Sequence, residues 1–191
     1  MNQRITNLRT KMKAQDLKAI LINNLKNVYY LTGFWGSNGT VLVTEERVVL
    51  FTDSRYTIHA HATCFPFVEI VETRNELEEA AKIVKDAAIH ELGFEDEITV
   101  AYQTRLATAF SGVSLRALSD FVMEFRLIKD ETEVATIRKA CSISDQAFLD
   151  VLEFIKVGQT TELEAATFLD FRMRELGASG VSFDIISAAG E

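Results

Sequence analysis

Proline, cysteine and long apolar runs are all scarce in this sequence of 191 residues, and each scarcity excludes a class of protein. A single proline, against an average usage of about 5%, argues against a proline-rich linker. The two cysteines, Cys64 and Cys141, lie far apart without a Cys-x-x-Cys spacing, so neither a zinc knuckle nor a disulfide framework is expected. No apolar run approaches the roughly 18 residues of a membrane span, and no signal-peptide core follows the N-terminus. We therefore expect a cytoplasmic protein without a membrane partner.

Basic residues are outnumbered, with 20 Lys and Arg against 28 Asp and Glu, which gives a net charge of -8. Nucleic-acid binding needs a basic face for phosphate contacts, so no nucleic-acid partner is expected. Hydrophobic residues make up 48% and charged residues 25%, which is ordinary for a globular protein and excludes a disordered chain. A function that involves small molecules is therefore expected rather than nucleic-acid binding.

The first 128 residues alternate between short β-rich runs and helical stretches, which is typical of an α/β fold with a covered sheet. A turn over residues 44–47 predicts at least one antiparallel pair, so the sheet is expected to be mixed. The predicted strands are Lys18–Ile22, Thr40–Val43, Arg47–Phe51, Val68–Glu72 and Thr99–Ala101, with Gly112–Leu115 as a further candidate. The predicted helices are Gln3–Gln15, Ser54–Ala62, Asn75–Ile89 and Tyr102–Ala109, with Gly93 placed to end the third.

A domain boundary is expected near residue 128, because residues 1–128 carry a net charge of -2 and residues 129–191 a net charge of -6. Beyond it, Asp130 is placed to cap a long amphipathic helix that Gly158 ends. A second helix is predicted between Thr161, which forms a capping box with Glu164, and Gly177.

Residues 181–185 alternate between apolar and polar side chains and predict one strand. Two helices and one strand cannot bury their own apolar faces, and leaving half of that surface wet would cost on the order of 10 kcal/mol. We therefore expect residues 129–191 to be the beginning of a second domain whose other strands lie outside this chain.

Two clusters of residues are candidate binding sites. In His59, His61 and Cys64 the two histidines point about 200° apart on a helix, and a metal site needs three or four converging ligands. The favoured interpretation is a helix end that faces solvent and core. The glycine-punctuated loop 33–39 lacks the Lys-Ser/Thr of a phosphate-binding loop, but it carries Phe34 and Trp35, which either form a contact surface or close the edge of the sheet.

Two further polar groups lie outside those clusters. Asp53 or Ser54 can cap the following helix, which leaves Arg55 and Tyr56 either functional or simply solvated. Asp184 on the predicted last strand is a single acid, and a structural role is favoured over metal ligation.

Four ordered segments resemble one family, the Xaa-Pro peptidases, which comprise proline aminopeptidases and prolidases. They share a creatinase-like N-terminal domain and the pita-bread metallopeptidase fold. The matching segments are 27–34 (NVYYLTGF), 52–56 (TDSRY), 126–133 (RLIKDETE) and 177–186 (GASGVSFDII). The resemblance covers nearly the whole chain. One departure is Ser54, where the family usually has glycine.

The resemblance implies a creatinase-like domain over residues 1–128 and the N-terminal fragment of the pita-bread domain over 129–191. It implies hydrolysis of the bond before proline in dipeptides or peptide N-termini, with two divalent metal ions, commonly manganese, held by ligands that follow this chain. No catalytic residue and no metal ligand is therefore assigned here, and the chain alone is expected to be inactive. The family also implies a homodimer whose N-terminal domain lends a loop to the neighbouring active site. Phe34 and Trp35 are assigned to that loop, and Phe183 to the proline pocket.

Two alternatives stay open at this point. In the first alternative, the chain is a free-standing, noncatalytic homologue that dimerises or binds a partner. In the second, it is a fragment of a creatinase-like amidohydrolase.

Overall fold

The computed structural model describes residues 2–190, which form eight helices and six strands. The helices are α1 (Gln3–Ala14), α2 (Leu25–Thr32), α3 (Thr57–Thr63), α4 (Glu76–Asp86), α5 (Val100–Ala109), α6 (Met123–Leu127), α7 (Glu131–Phe154) and α8 (Glu162–Glu175). The strands are β1 (Ala19–Ile22), β2 (Thr40–Thr44), β3 (Val48–Thr52), β4 (Glu69–Glu72), β5 (Glu91–Glu95) and β6 (Ser114–Leu118). The chain divides into two compact units, residues 1–128 and 129–191.

The first unit contains one mixed sheet in the order β4-β3-β2-β1-β5-β6. Only β2 is antiparallel to its neighbours, while the β3–β4, β1–β5 and β5–β6 pairs are parallel. The predicted mixed sheet and the hairpin at residues 44–47 are confirmed, and the turn is closed by a Thr44 N–H to Arg47 carbonyl bond of 2.9 Å. Because five strands run the same way, their carboxyl ends meet at one edge of the sheet.

Helices cover both faces of this sheet, so its central strands are apolar on both sides. In β1, Ile20 and Ile22 face one core, whereas Ala19 and Leu21 face the other. The first core is completed by apolar residues of α1, α2 and α3, and the second by those of α4 and α5. The result is a three-layer α/β/α unit, which confirms the predicted fold class.

Two details of the sequence-based prediction are wrong near β5. Thr99–Ala101 is not a strand, because the Thr99 side chain accepts a hydrogen bond from the Tyr102 N–H at 3.1 Å and caps α5. Gly93 does not end a helix but lies inside β5, where an added Cβ would be 2.6 Å from Leu118 and 2.8 Å from Leu17. The close approach of these two leucines explains the glycine in the strand.

The second unit is built on the helices α7 and α8, which pack against each other. The predicted N-cap at Asp130 and the predicted capping box at Thr161 are confirmed. Both helices begin with a capping box, in which Asp130 accepts from the Glu133 N–H at 2.9 Å and Thr161 accepts from the Glu164 N–H at 3.3 Å. Within this unit, Phe154 stacks on Phe168 at 4.3 Å between ring centroids. Many large apolar side chains of the unit nevertheless stay exposed, among them Ile137, Phe148, Leu149, Leu152, Leu163 and Phe171.

The strand predicted over residues 181–185 is not formed, and residues 181–190 have no regular secondary structure. A strand needs a partner for its backbone N–H and C=O groups, and no other strand occurs in the described part of this unit. Across residues 2–190, no helix is long and apolar enough to cross a membrane.

Candidate functional site

The loop that links α2 to β2 is held at both ends by local backbone requirements. Asn24 caps α2 by accepting a hydrogen bond from the Lys26 N–H at 3.0 Å. Gly33 ends the helix in the left-handed region at φ +79, and an added Cβ there would lie 2.8 Å from the Thr63 carbonyl oxygen. The conformation of Gly33 therefore fixes the direction in which the chain leaves α2 and enters the segment that carries Phe34 and Trp35.

Phe34 is a core residue, with 1% of its surface exposed. Its ring meets Tyr56 edge-on at 5.8 Å between centroids. An added Cβ on Gly36 or Gly39 would lie 2.8 or 2.9 Å from this ring, so the loop closes tightly around it. The sequence leaves open whether Phe34 forms a contact surface or closes the edge of the sheet. The burial of the ring favours the second role, because almost none of its surface is left for a substrate.

Trp35 points the other way, with 65% of its surface exposed. Its indole contacts the imidazole of His59 edge-on, at 4.5 Å between ring centroids. The His59 Nε2 atom is buried without a hydrogen-bond partner among residues 2–190. Ile58, which precedes His59 on α3, is also exposed.

The segment 53–56 braces this loop. The buried Asp53 carboxylate accepts hydrogen bonds from Arg55 Nε at 2.9 Å, Arg55 Nη2 at 2.8 Å and Asn38 Nδ2 at 2.6 Å. The bonds from Arg55, followed by the bond from Asn38, hold the pKa of Asp53 well below its usual range. The Tyr56 hydroxyl lies 2.7 Å from Ser37 Oγ, and this bond lowers the tyrosine pKa.

Two expectations for this segment change as a result. Neither Asp53 nor Ser54 caps α3, because that helix begins at Thr57 and its N-cap Tyr56 makes no side-chain cap bond. Arg55 and Tyr56 are not simply solvated, since each is bonded to a neighbour in or beside the loop. The missed signal is that Asp53 and Asn38 both border β-strands whose ends meet at the same edge.

The His59, His61 and Cys64 cluster gathers no metal-ligand set. Across residues 2–190, no three His, Cys, Asp or Glu side chains are placed to hold a metal ion. Burial raises the pKa of the Cys64 thiol to about 11. Residues 2–190 therefore do not provide a site that fits the divalent metals implied by the resemblance.

Phe183 lies in the irregular C-terminal segment, with 77% of its surface exposed. It belongs to the second unit, whereas Trp35 belongs to the first. The neighbouring Asp184 is exposed as well. The structure therefore gives Phe183 an accessible ring but no surrounding pocket among the described residues.

A second polar cluster, which the sequence-based reasoning missed, surrounds Glu95 at the end of β5. Its buried carboxylate accepts bonds from the N–H groups of Asn23 at 2.8 Å and Asn24 at 2.7 Å, and from Asn27 Nδ2 at 2.5 Å. Burial raises the pKa of Glu95, and these three bonds partly oppose that effect. Arg126 Nη1 donates to Asn27 Oδ1 at 2.9 Å. In the sequence, the three successive acidic residues 95–97 are indistinguishable from a stretch of solvent-exposed charges, so no local signal marks this cluster.

Comparison with known proteins adds evidence of a different kind. Residues 4–128 match the family model described as the creatinase/prolidase N-terminal domain, and residues 135–191 match that of metallopeptidase family M24. The chain is 33% identical to the "Uncharacterized peptidase YqhT" of Bacillus subtilis over 98% of this chain and 53% of that protein. It is 28% identical to the "Xaa-Pro dipeptidase" of Pyrococcus horikoshii, over 100% of this chain and 53% of that protein.

A solved structure agrees with these matches. The structure of the Xaa-Pro dipeptidase from Bacillus anthracis is similar with a TM-score of 0.87 and 33% identity, covering 95% of this chain and 51% of that one. The chain thus spans about half the length of the curated relatives it matches.

Proposed function

The chain belongs to the creatinase/prolidase N-terminal domain family, and on this premise we propose that it works as the N-terminal part of a metal-dependent Xaa-Pro peptidase. The reaction is hydrolysis of the bond before proline, in dipeptides or at peptide N-termini. The observation that carries the proposal is the succession of two family matches along one chain, residues 4–128 followed by residues 135–191.

The substrate class has a chemical reason to need a dedicated enzyme. A prolyl nitrogen has no N–H and its ring fixes φ, so proteases that bind an extended backbone through N–H groups handle this bond badly. Relatives named as Xaa-Pro dipeptidases support assigning the same bond to this protein. The metal ions, manganese in our expectation, require ligands other than those of residues 2–190, and the chain alone is proposed to be inactive.

The proposed role of the first unit is to dimerise and to complete the substrate site of a neighbouring subunit. Trp35 is suited to this role because it is exposed while its loop is braced by the Asp53 and Tyr56 bonds. Phe34 contributes from inside, by fixing the loop that presents Trp35. Phe183 is proposed to line the proline pocket once it is packed in the complete catalytic domain. Two free cysteines suit the proposed cytoplasmic location.

The activity is tested by expressing the reading frame that contains this sequence in full and assaying Ala-Pro, a longer Ala-Pro peptide and creatine, with and without a chelator. Chelator-sensitive release of proline or of the N-terminal residue supports the proposal, whereas creatine turnover alone assigns a creatinase-like amidohydrolase. Peptide hydrolysis by the 191-residue chain by itself, abolished by the chelator, would contradict our placement of the ligands.

The role of Trp35 is tested in the active protein. Trp35→Ala should raise KM for Xaa-Pro substrates with a smaller change in kcat, because the side chain is proposed to bind substrate rather than to react. Val100→Ala is the matched control, since Val100 is an exposed apolar residue at the start of α5, which packs on the other face of the sheet. Unchanged kinetics in Trp35→Ala would remove the loop from the substrate site.

A further inference from the structure

A crevice opens between β1 and β5, at the edge of the sheet where the parallel strands end. The two strands are parallel neighbours, yet the connections that follow them go to opposite faces. After β1 the chain enters α2, whose Val28 packs in the first core, and after β5 it reaches α5, whose Leu106 packs in the second. In open α/β sheets, ligands bind outside the carboxyl ends of the strands at such a topological switch point.

A cavity of about 200 Å³ occupies this crevice. Pockets for drug-sized ligands usually measure roughly 300–1,000 Å³, so this one is limited to a molecule of amino-acid size. Its walls come from the segments that follow β1, β5 and β6 in the first unit. The lining includes Lys26, Asp96, Glu97, Asp120, Met123 and Arg126.

The cavity walls contain both signs of charge without pairing them. The carboxylates of Asp96, Glu97 and Asp120 have no hydrogen-bond or ion-pair partner for their side chains among residues 2–190, and neither does the ammonium group of Lys26. Arg126 uses Nη1 on Asn27 Oδ1 at 2.9 Å and on Met123 Sδ at 3.5 Å, which leaves Nε and Nη2 available to a ligand. A wall with such charges is complementary to a ligand that carries an ammonium and a carboxylate group.

Part of the wall is fixed in advance. Glu95 is only 6% exposed and its carboxylate already accepts three bonds, so it holds the start of α2 and the amide of Asn27 in place. Asp120 adopts a positive φ of 50, a conformation that is uncommon outside glycine and concentrates at functional sites. Met123 supplies the accessible apolar part of the lining with 41% of its surface exposed, whereas Phe121 and Leu118 also border the cavity but are almost fully buried.

We propose that this crevice binds a free apolar α-amino acid, with its ammonium group at Asp96 and Asp120, its carboxylate at Lys26 and Arg126, and its side chain against Met123. The site lies wholly in the first unit. It goes beyond the proposed peptidase role and does not depend on it, because binding is measured on the 191-residue chain without any turnover.

The test is a titration of the 15N-labelled chain, followed by NMR, with three matched probes. L-leucine carries both charges, L-leucinamide lacks the carboxylate and N-acetyl-L-leucine lacks the ammonium group. We expect saturable shifts with leucine at the amides of residues 24–27, 95–97 and 118–123, and at least tenfold weaker binding of the other two probes. No saturable shift up to about 10 mM leucine, or equal binding of leucinamide, would overturn the proposal, the latter in favour of a simple cation site.

Two charge-neutralising variants locate the site. Asp120→Asn and Lys26→Gln should each weaken leucine binding about tenfold, and asparagine tolerates the positive φ at position 120. Asp86→Asn and Lys85→Gln are the matched controls, since both residues are exposed on α4 away from the cavity. Circular dichroism checks that each variant is folded. Binding that is unchanged in both site variants would place the ligand elsewhere and refute the assignment.

Discussion

The adjacent residues Phe34 and Trp35 allow a paired substitution that separates support of the loop from contact by the loop. Phe34→Ala deletes a ring that the core encloses, and Trp35→Ala deletes a ring that is mostly in solvent. If the loop is built as the structure indicates, the two variants should fail in different assays.

The expected magnitudes follow from burial. Phe34 contacts Tyr56 and is enclosed by Gly36 and Gly39, so its truncation should cost about 3–5 kcal/mol of unfolding free energy from lost transfer energy and the cavity left behind. Trp35 makes an edge contact with His59 but is otherwise exposed. A surface change of that kind usually alters stability by no more than about 0.5 kcal/mol.

Stability is measured by thermal and urea unfolding, followed by far-UV circular dichroism. We expect Phe34→Ala to lower the Tm by roughly 6–20 °C and Trp35→Ala by no more than about 2 °C. Phe34→Leu, which fills much of the ring volume, should retain most of the stability. Similar losses in Phe34→Ala and Trp35→Ala would refute the division into a buried support and an exposed contact residue.

Three further predictions concern the same edge of the sheet. Gly33→Ala should lower the free energy of unfolding by more than about 1 kcal/mol, and by more than Gly112→Ala does. Both glycines have a positive φ, but only at Gly33 would the added Cβ also clash with a backbone oxygen. Equal urea midpoints for the two variants would contradict this. The Asp53 pKa is lowered by Arg55, so its contribution to stability is present at neutral pH and lost as the pH falls below about 4; the gap in urea midpoint between wild type and Asp53→Asn should therefore shrink on acidification. The Glu95 pKa is raised by burial, so the wild type should gain stability relative to Glu95→Gln as the pH falls from 7 towards about 4. A difference in urea midpoint between the two proteins that does not change with pH would contradict the burial of this charge.

The sequence predicts elements well where one local signal dominates. Asp130 with Glu133 and Thr161 with Glu164 mark the starts of α7 and α8 because a capping box is formed within four residues. The apolar runs of β1, β2 and β3 are recognisable because both faces of the sheet are covered. These signals suffice for the α/β fold class and the antiparallel hairpin.

Prediction fails where the deciding contact is distant in the chain. Gly93 is suited to β5 only because Leu17 and Leu118 approach it, and no local pattern contains those residues. The alternation over residues 181–185 is a real strand pattern, but a strand forms only when a partner strand pairs with it. Likewise, Phe34 and Trp35 are both aromatic loop residues in the sequence, and only the surrounding core decides that one is buried and the other exposed.

The direction of β2 explains why the loop and the crevice lie at the same edge yet remain separate. Because β2 alone is reversed, it begins at the edge where the other strands end, which brings the loop 33–39 next to Asp53 at the end of β3. The crevice lies on the other side of β2 and β1, and β3 and β6 are four strand spacings apart in the sheet, roughly 19 Å. Each group of polar residues is braced by its own buried carboxylate, Asp53 for the loop and Glu95 for the crevice. The single reversed strand therefore lets one edge carry both the proposed protein-contact loop and the proposed small-molecule crevice, and among residues 2–190 no hydrogen bond joins the side chains of the two.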